Sequence, residues 1–390
     1  MTGKKTFKQA IPILKDLVAT NSVNPSLVSG GAGEERIARY LDDLFKRCEI
    51  QSETLTVGPG RYNVLARVKG QEGGPRILLN GHLDTVGVTG MNAPFEAREE
   101  NGKIHGRGSQ DMKGGLAAAV TGLIALSENR GKFRGEVILT AVADEEDQSM
   151  GTQYFLRNNP KDQPVDFCIV LEPTDLKVCT AHKGFSWLEI TIHGKAAHGS
   201  RPNDGVDAIR HMGRVLEQLD RLDKELQSTP LHPLLGSGSL HASLIEGGRE
   251  WSTYPDRCVL KYERRTVPPE NSETAQKELA TILSNLANAD PKFRAEGRLV
   301  CSRSPLQQDR QHPLIARFHR QAIEHFSGIA AWGTVSFWTD AALVSGVGIP
   351  CVVFGPRGAG LHSVEEYVVA SDVVACAEFL YNFIFALARD

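Results

Sequence analysis

Four times in this chain a short apolar run leads into side chains that bind cations. The run 77–79 (ILL) passes through Asn80 and Gly81 to His82 and Asp84, and 137–143 (VILTAVA) ends in Asp144, Glu145, Glu146 and Asp147. The run 167–171 (FCIVL) ends in Glu172, and 351–354 (CVVF) leads through Gly355 and Pro356 to Leu361 and His362. Short continuous apolar runs are the pattern of strands buried on both faces, and polar residues just past their ends are the layout of a mostly parallel sheet delivering groups to its carboxyl edge. The expected fold class is therefore α/β, a mostly parallel sheet flanked by helices. Helices are expected at 7–20, 34–47 and 114–126, and a further strand at 63–68.

Five of these residues are oxygen or nitrogen donors of the kind metal ions take: His82, Asp111, Glu146, Glu172 and His362. Two histidines and three carboxylates suit two zinc ions, each with one imidazole and one terminal carboxylate, and with one carboxylate shared. Asp111, central by position and expected to open the helix that follows, is the candidate bridge. His82 and Asp84 lie two residues apart in extended chain and so share a face, which suits Asp84 to hold the second ring nitrogen of His82. Two ions about 3.5–4 Å apart generate hydroxide from water near neutral pH. Glu145 is a carboxylate that need not bind metal and is the candidate general base. Gly108, Gly114 and Gly115 do not make a phosphate loop, since G-x-G-x-x-G after a strand and a following Lys-Ser/Thr are both absent.

The segment between the third and fourth of these runs has another character. Strands are expected at 184–193, 239–245, 257–265 and 293–301, with helices at 204–222 and 272–287. That strand-helix-strand-strand-helix-strand order is a ferredoxin-like α+β unit. The expected domains are thus a discontinuous catalytic domain, 1–182 and 298–390, with an insert at 183–297. A chain of 390 residues fits roughly two domains of 100–200 residues.

Composition excludes several function classes. Lys and Arg number 44 against 47 Asp and Glu, for a net charge of −3, so no nucleic-acid surface is expected. No apolar run approaches a membrane span, and the amino-terminal MTGKKTFKQAIPILKDL lacks the apolar core of a signal peptide. Seven scattered cysteines, none in C-x-x-C spacing, point to a reducing compartment, with the cytoplasm the expected location, and to no thiolate zinc site.

GHLDTV, GRGSQDMKGG, ADEED, LEP and HSVEEYV, in this order and with a domain inserted before the last, resemble the metallopeptidase family of acetylornithine deacetylase, succinyl-diaminopimelate desuccinylase, aminoacylase and bacterial glutamate carboxypeptidase. The resemblance implies that His82 and Glu172 hold one zinc, Glu146 and His362 the other, and Asp111 bridges, with cobalt or manganese as the other candidate ions. It implies further that Asp84 orients His82, that Glu145 is the base, and that the Asp111–Met112 peptide bond is cis. In KAAHGSRPNDGVDAI, His198 matches the family histidine that reaches the substrate across a homodimer interface formed by the inserted lid/dimerisation domain. In YERRTVPPE, Arg265 matches the arginine that binds the substrate carboxylate, with its neighbour Arg264 pointing the other way along the strand. One departure stands nearby: relatives often read Asn-Val-x-Pro where this chain has Ser252, Thr253, Tyr254 and Pro255, and Trp251, Trp332 and Trp338 are candidates to line a bulkier apolar pocket. Lys183 and Asp340 lie beside motifs and are candidates for supporting roles.

The resulting expectation is a hydrolase that cleaves the amide bond of an N-acyl amino acid next to a free carboxylate. The alternative within the same chemistry is a dipeptidase or glutamate-carboxypeptidase-like exopeptidase. The alternative of another class is a non-catalytic metal-dependent binding protein, whose mark would be a lost base or ligand.

Overall fold

The structure, a computed structural model, describes residues 7–159 and 164–389; the start of the amino-terminal stretch read above as lacking a signal peptide lies outside the described residues. The chain divides into two compact units. One comprises the residues up to Thr180, Gln308–Thr334 and those from Thr339 on; the other comprises Ala181–Gln307 and Val335–Trp338. The expected insert boundary at 297 falls inside the strand Ala295–Arg303.

The first unit is built on a mixed sheet. Its strands follow the order Gln51–Gly58, Arg61–Lys69, Arg134–Val142, Gln71–His82, Phe167–Val170, Cys351–Val353 and Val178–His182. The four central strands, from Arg134–Val142 to Cys351–Val353, run parallel, and the flanking ones are antiparallel. The central register sets Ile77 opposite both Val137 and Phe167, and His82 opposite Val142. The parallel strands therefore finish nearly level, and the polar residues after them leave at one edge. The last residues of Gln71–His82 and Arg134–Val142 are buried without alternation, as expected for strands covered on both faces.

Helix Gly114–Ser127 is buried along its whole length, which its small residues permit. A Cβ on Gly115 would come within 1.9 Å of the Leu171 carbonyl oxygen, and one on Gly355 within 2.4 Å of the Glu172 carbonyl oxygen. Both glycines are needed for helix and turn to press against the segment that carries Glu172. Beside this helix packs Ala370–Leu387. That helix corrects the expectation that no segment approaches a membrane span: it is long and apolar enough by length and composition, with a mean hydropathy of 1.4. More than half of it, 56%, is buried inside the protein. Its Phe379 and Phe383 meet Phe318 of helix Pro313–His325 at ring-centroid distances of 5.0 and 4.8 Å, so its apolar surface belongs to the core.

A second, small antiparallel sheet joins Gly358–Ala359, Tyr367–Val369, Lys103–His105 and Arg98–Glu100. It pairs Tyr367 with His105 and Val368 with Ile104. The loop between its first two strands carries His362, and this pairing brings that loop to the segment just ahead of Asp111.

The second unit carries an antiparallel sheet in the order Ser239–Gly247, Arg257–Thr266, Gly184–His193, Ala295–Arg303, with helices Ala208–Ser228 and Ser272–Ala289 in β-α-β-β-α-β sequence. Leu188, Ile190, Ile192, Met212, Val215 and Leu260 form its own core.

Candidate metal centre

Two groups of donors meet at the carboxyl edge of the parallel strands. His82, Asp111 and Glu172 form one, and Asp111, Glu146 and His362 form the other; within each, the ligand-type atoms lie within 4.8 Å of one another. Asp111 belongs to both, through different oxygens. Its Oδ1 is 3.1 Å from His82 Nε2, and its Oδ2 is 3.3 Å from His362 Nε2. His362 Nε2 lies 3.1 Å from Glu146 Oε2, and His82 Nε2 lies 3.8 Å from Glu172 Oε1. Donors around a tetrahedral zinc with bonds of about 2.0–2.1 Å sit roughly 3.4 Å from each other, so these spacings fit one ion per group. The buried Glu146 Oε1 has no hydrogen-bond partner, a further fit to a site that takes a cation.

Charge points the same way. Asp111, Glu145, Glu146, Glu172 and Asp340 crowd around two imidazoles, and burial disfavours their charged forms. Burial first, and then the charge of Glu172, pushes Glu145 well above the usual carboxyl range. Burial and Asp111 do the same to Glu172, and burial pushes Asp340 up to about 6. Asp111 goes the other way: burial would raise it, but hydrogen bonds from His362 and His82 hold it below the usual range. The partners Asp111 and Glu146 raise His362 to about 10. Such a cluster carries more acid than its histidines can neutralise, and divalent cations relieve it.

Several details differ from the sequence expectations. Asp111 does not open the helix: it sits in an irregular turn, Ser109–Lys113, at φ −113°, ψ 95°, because the helix begins only at Gly114. The Asp111–Met112 peptide bond is cis, as the resemblance implies. The Asp84 carboxylate is not the group on His82. His82 Nδ1 is 2.8 Å from the Asp84 backbone carbonyl oxygen and 3.7 Å from the nearer carboxylate oxygen, because that carboxylate is already engaged. Its Oδ1 accepts from the backbone N–H of Glu145 at 3.1 Å, and its Oδ2 from that of Glu146 at 3.3 Å.

Other residues around the site were not singled out from the sequence. Asn24 Nδ2 donates to Asp84 Oδ2 at 2.8 Å and to Asp144 Oδ1 at 3.1 Å. Arg61 pairs with Asp144 at 2.9 Å and with Glu34 at 2.6 Å. Thr152 Oγ1 donates at 2.5 Å to Asp340, which the sequence did single out as a candidate for a supporting role. The one signal for Asn24 is the turn-forming Asn24-Pro25 dipeptide; Arg61 and Thr152 sit in unremarkable sequence.

His198 and Arg265 lie in the second unit. His198 Nδ1 is 2.8 Å from Ser200 Oγ, in an exposed loop. Arg265 Nε donates to Glu263 Oε1 at 2.5 Å, its guanidinium lies 5.4 Å from the Phe185 ring, and Glu263 is held by Trp187 Nε1 at 2.8 Å. Arg264 is wholly buried and pairs with Glu278 at 2.9 Å and with Glu270 at 2.5 Å. Lys183 Nζ donates to the Ser237 carbonyl oxygen at 2.8 Å. Of the tryptophans, Trp251 is fully exposed, Trp332 is stacked on His319 at 3.7 Å with Arg310 over its ring at 4.9 Å, and Trp338 lies edge-on to His182 and Phe185 at ring-centroid distances of 6.2 and 6.3 Å.

The family model for peptidase family M20/M25/M40 matches residues 78–386. A probable succinyl-diaminopimelate desuccinylase of Staphylococcus epidermidis is 29% identical, over 92% of this chain and 92% of its own. Acetylornithine deacetylase of Vibrio atlanticus is 31% identical, over 92% of this chain and 93% of its own. An M20 family metallo-carboxypeptidase from Sulfolobus solfataricus shares the fold at a TM-score of 0.78 and 16% identity, covering 97% of this chain and 99% of that one. With its motifs in order and its donors gathered at one sheet edge, the chain belongs to peptidase family M20/M25/M40, the metal-dependent hydrolases of amide bonds.

Proposed function

We infer that the protein hydrolyses the amide bond of an N-acyl amino acid. The observation that carries this reading is the division of the Asp111 carboxylate between two histidine–carboxylate groups, with Glu145 beside them and outside both. In this reading His82 and Glu172 would hold one zinc and Glu146 and His362 the other, with Asp111 shared between them. Ions held by these residues would supply Lewis acidity toward the scissile carbonyl and a water of lowered pKa. Glu145 takes the proton from that water and passes it to the leaving amine. Asp84 keeps Glu145 in place through its backbone N–H.

Arg265 binds the substrate carboxylate in this reading. Support comes from its motif and from the way Glu263 engages only Nε, which leaves the two terminal nitrogens of the fork for a ligand. His198, from the partner subunit of a homodimer, steadies the developing oxyanion. Dimerisation through the insert is supported by its exposed edge strand Ser239–Gly247, with Leu244 and Ile245 turned to solvent. The seven free thiols support a cytoplasmic location.

The test is turnover of N-acetyl and N-succinyl amino acids against a panel of dipeptides by the zinc-loaded protein. Hydrolysis of the acyl amino acids is expected. Turnover of dipeptides alone would make the protein an exopeptidase, and turnover of neither by protein carrying two ions would favour a binding role.

A further inference from the structure

Glu366 is 1% exposed and is not among the donors of either metal group. Its Oε1 accepts from the backbone N–H of Gln110 at 2.9 Å and of Asp111 at 3.1 Å. Its Oε2 accepts from the N–H of Gly108 at 3.0 Å and from Arg107 Nη1 at 2.6 Å. The turn that delivers Asp111 is therefore wrapped around one buried carboxylate, as backbone N–H groups wrap an anion in a nest. The cation of that pair reaches further. Arg107 Nη2 donates to the Ser363 carbonyl oxygen at 3.0 Å, next to His362, and its Nε to the Gly87 carbonyl oxygen at 3.0 Å, in the loop that follows His82 and Asp84. Arg107 and Glu366 thus tie together three separate segments that each present a ligand: 82–87, 107–111 and 362–366.

We propose that the Glu366–Arg107 pair positions the Asp111 carboxylate between its two histidine groups before any ion binds. The inference rests on Asp111 serving as the bridge. A bridging carboxylate tolerates little misplacement, because each oxygen must face a different group. Asp111 lies at non-helical backbone angles, and its N–H and that of Gln110 find their acceptor in the Glu366 carboxylate, 255 positions on, so an outside acceptor helps to define this part of the turn. A buried ion pair is a poor source of net stability compared with apolar packing, and its presence here is consistent with a positioning task.

The experiment is titration of the metal-free full-length protein with Co2+, followed by visible absorption and calorimetry, in wild type and in Glu366→Gln. Gln keeps the shape but turns an N–H2 toward backbone donors. The wild type is expected to bind two ions, and Glu366→Gln to bind them about 10–100-fold more weakly with an altered absorption band, at unchanged far-ultraviolet circular dichroism. Arg264→Met serves as the control for general destabilisation, and its Co2+ affinity should match wild type. Equal Co2+ affinity in wild type and Glu366→Gln would overturn the inference, whereas failure of the wild type to bind two ions would overturn the dinuclear reading beneath it. Hydrogen exchange on metal-free wild type tests the same point without a variant: protection of the Gly108, Gln110 and Asp111 amides supports it, and exchange at unprotected rates overturns it.

Discussion

The backbone carbonyl oxygen of Asp84, 2.8 Å from Nδ1, fixes the ring of His82, while the Asp84 carboxylate accepts the backbone N–H groups of Glu145 and Glu146. One residue thereby serves two elements: its main chain accepts from Nδ1–H and so turns Nε2 of His82 toward Asp111 and Glu172, and its side chain holds the segment after strand Arg134–Val142. Asp84→Asn should therefore leave His82 oriented and both ions bound, yet lower kcat by about 10–100-fold by loosening the Glu145 segment. Metal analysis alongside kinetics checks this; loss of an ion from Asp84→Asn would return the role of orienting His82 to the carboxylate.

Glu145→Gln removes the proposed proton carrier without touching a donor of either group. Two bound ions should be retained, and kcat should fall by about 10²–10⁴-fold. Normal turnover by the variant would dismiss Glu145 as the base.

Crowded carboxylates make the metal-free site a source of instability that a cation removes. At zinc concentrations about 100 times the dissociation constant, each independent site should add about 2.7 kcal/mol to unfolding free energy. Thermal denaturation with and without a chelator measures this. Chelation should also abolish amide hydrolysis, and added zinc should restore it; full activity after stripping would remove the metal centre from the reaction.

Arg264 and Arg265 should behave oppositely. Arg264 is buried between Glu270 and Glu278, and Arg264→Met should cost about 3–5 kcal/mol of stability by leaving those charges unpaired, with little change in kcat of the folded fraction. Arg265 is partly exposed and engaged through Nε alone, so Arg265→Lys should leave stability almost unchanged. Its loss of a charged hydrogen bond of about 1.5–3 kcal/mol should raise KM about tenfold or more. Denaturant unfolding together with steady-state kinetics separates the two.

What the sequence determined by itself follows from strand physics. A strand buried on both faces must be continuously apolar, and the next polar residues must leave at its end, so runs such as 77–79 and 167–171 mark both the parallel core and the edge where His82 and Glu172 emerge. The helical periodicity of 35–47 is just as local, and so is the order of strands and helices between 184 and 303. The two-residue and three-residue strands Gly358–Ala359 and Tyr367–Val369 carry no such signal, since pairing with Lys103–His105 rather than composition makes them strands.

Tertiary structure alone decided the rest. Glu366 and Asp111 are 255 positions apart, and no spacing rule links a carboxylate to a backbone N–H at that distance. The exchange of carboxylate for carbonyl at His82 depends on where the Glu145 segment falls. Helix Ala370–Leu387 has the composition of a membrane span, and only its packing on Gly114–Ser127 and Phe318 makes it a core helix. Local sequence sets which face of an element is apolar and where it ends; which buried donor meets which acceptor is set by chain closure over hundreds of residues, and it is there that the Asp111 carboxylate acquires its place.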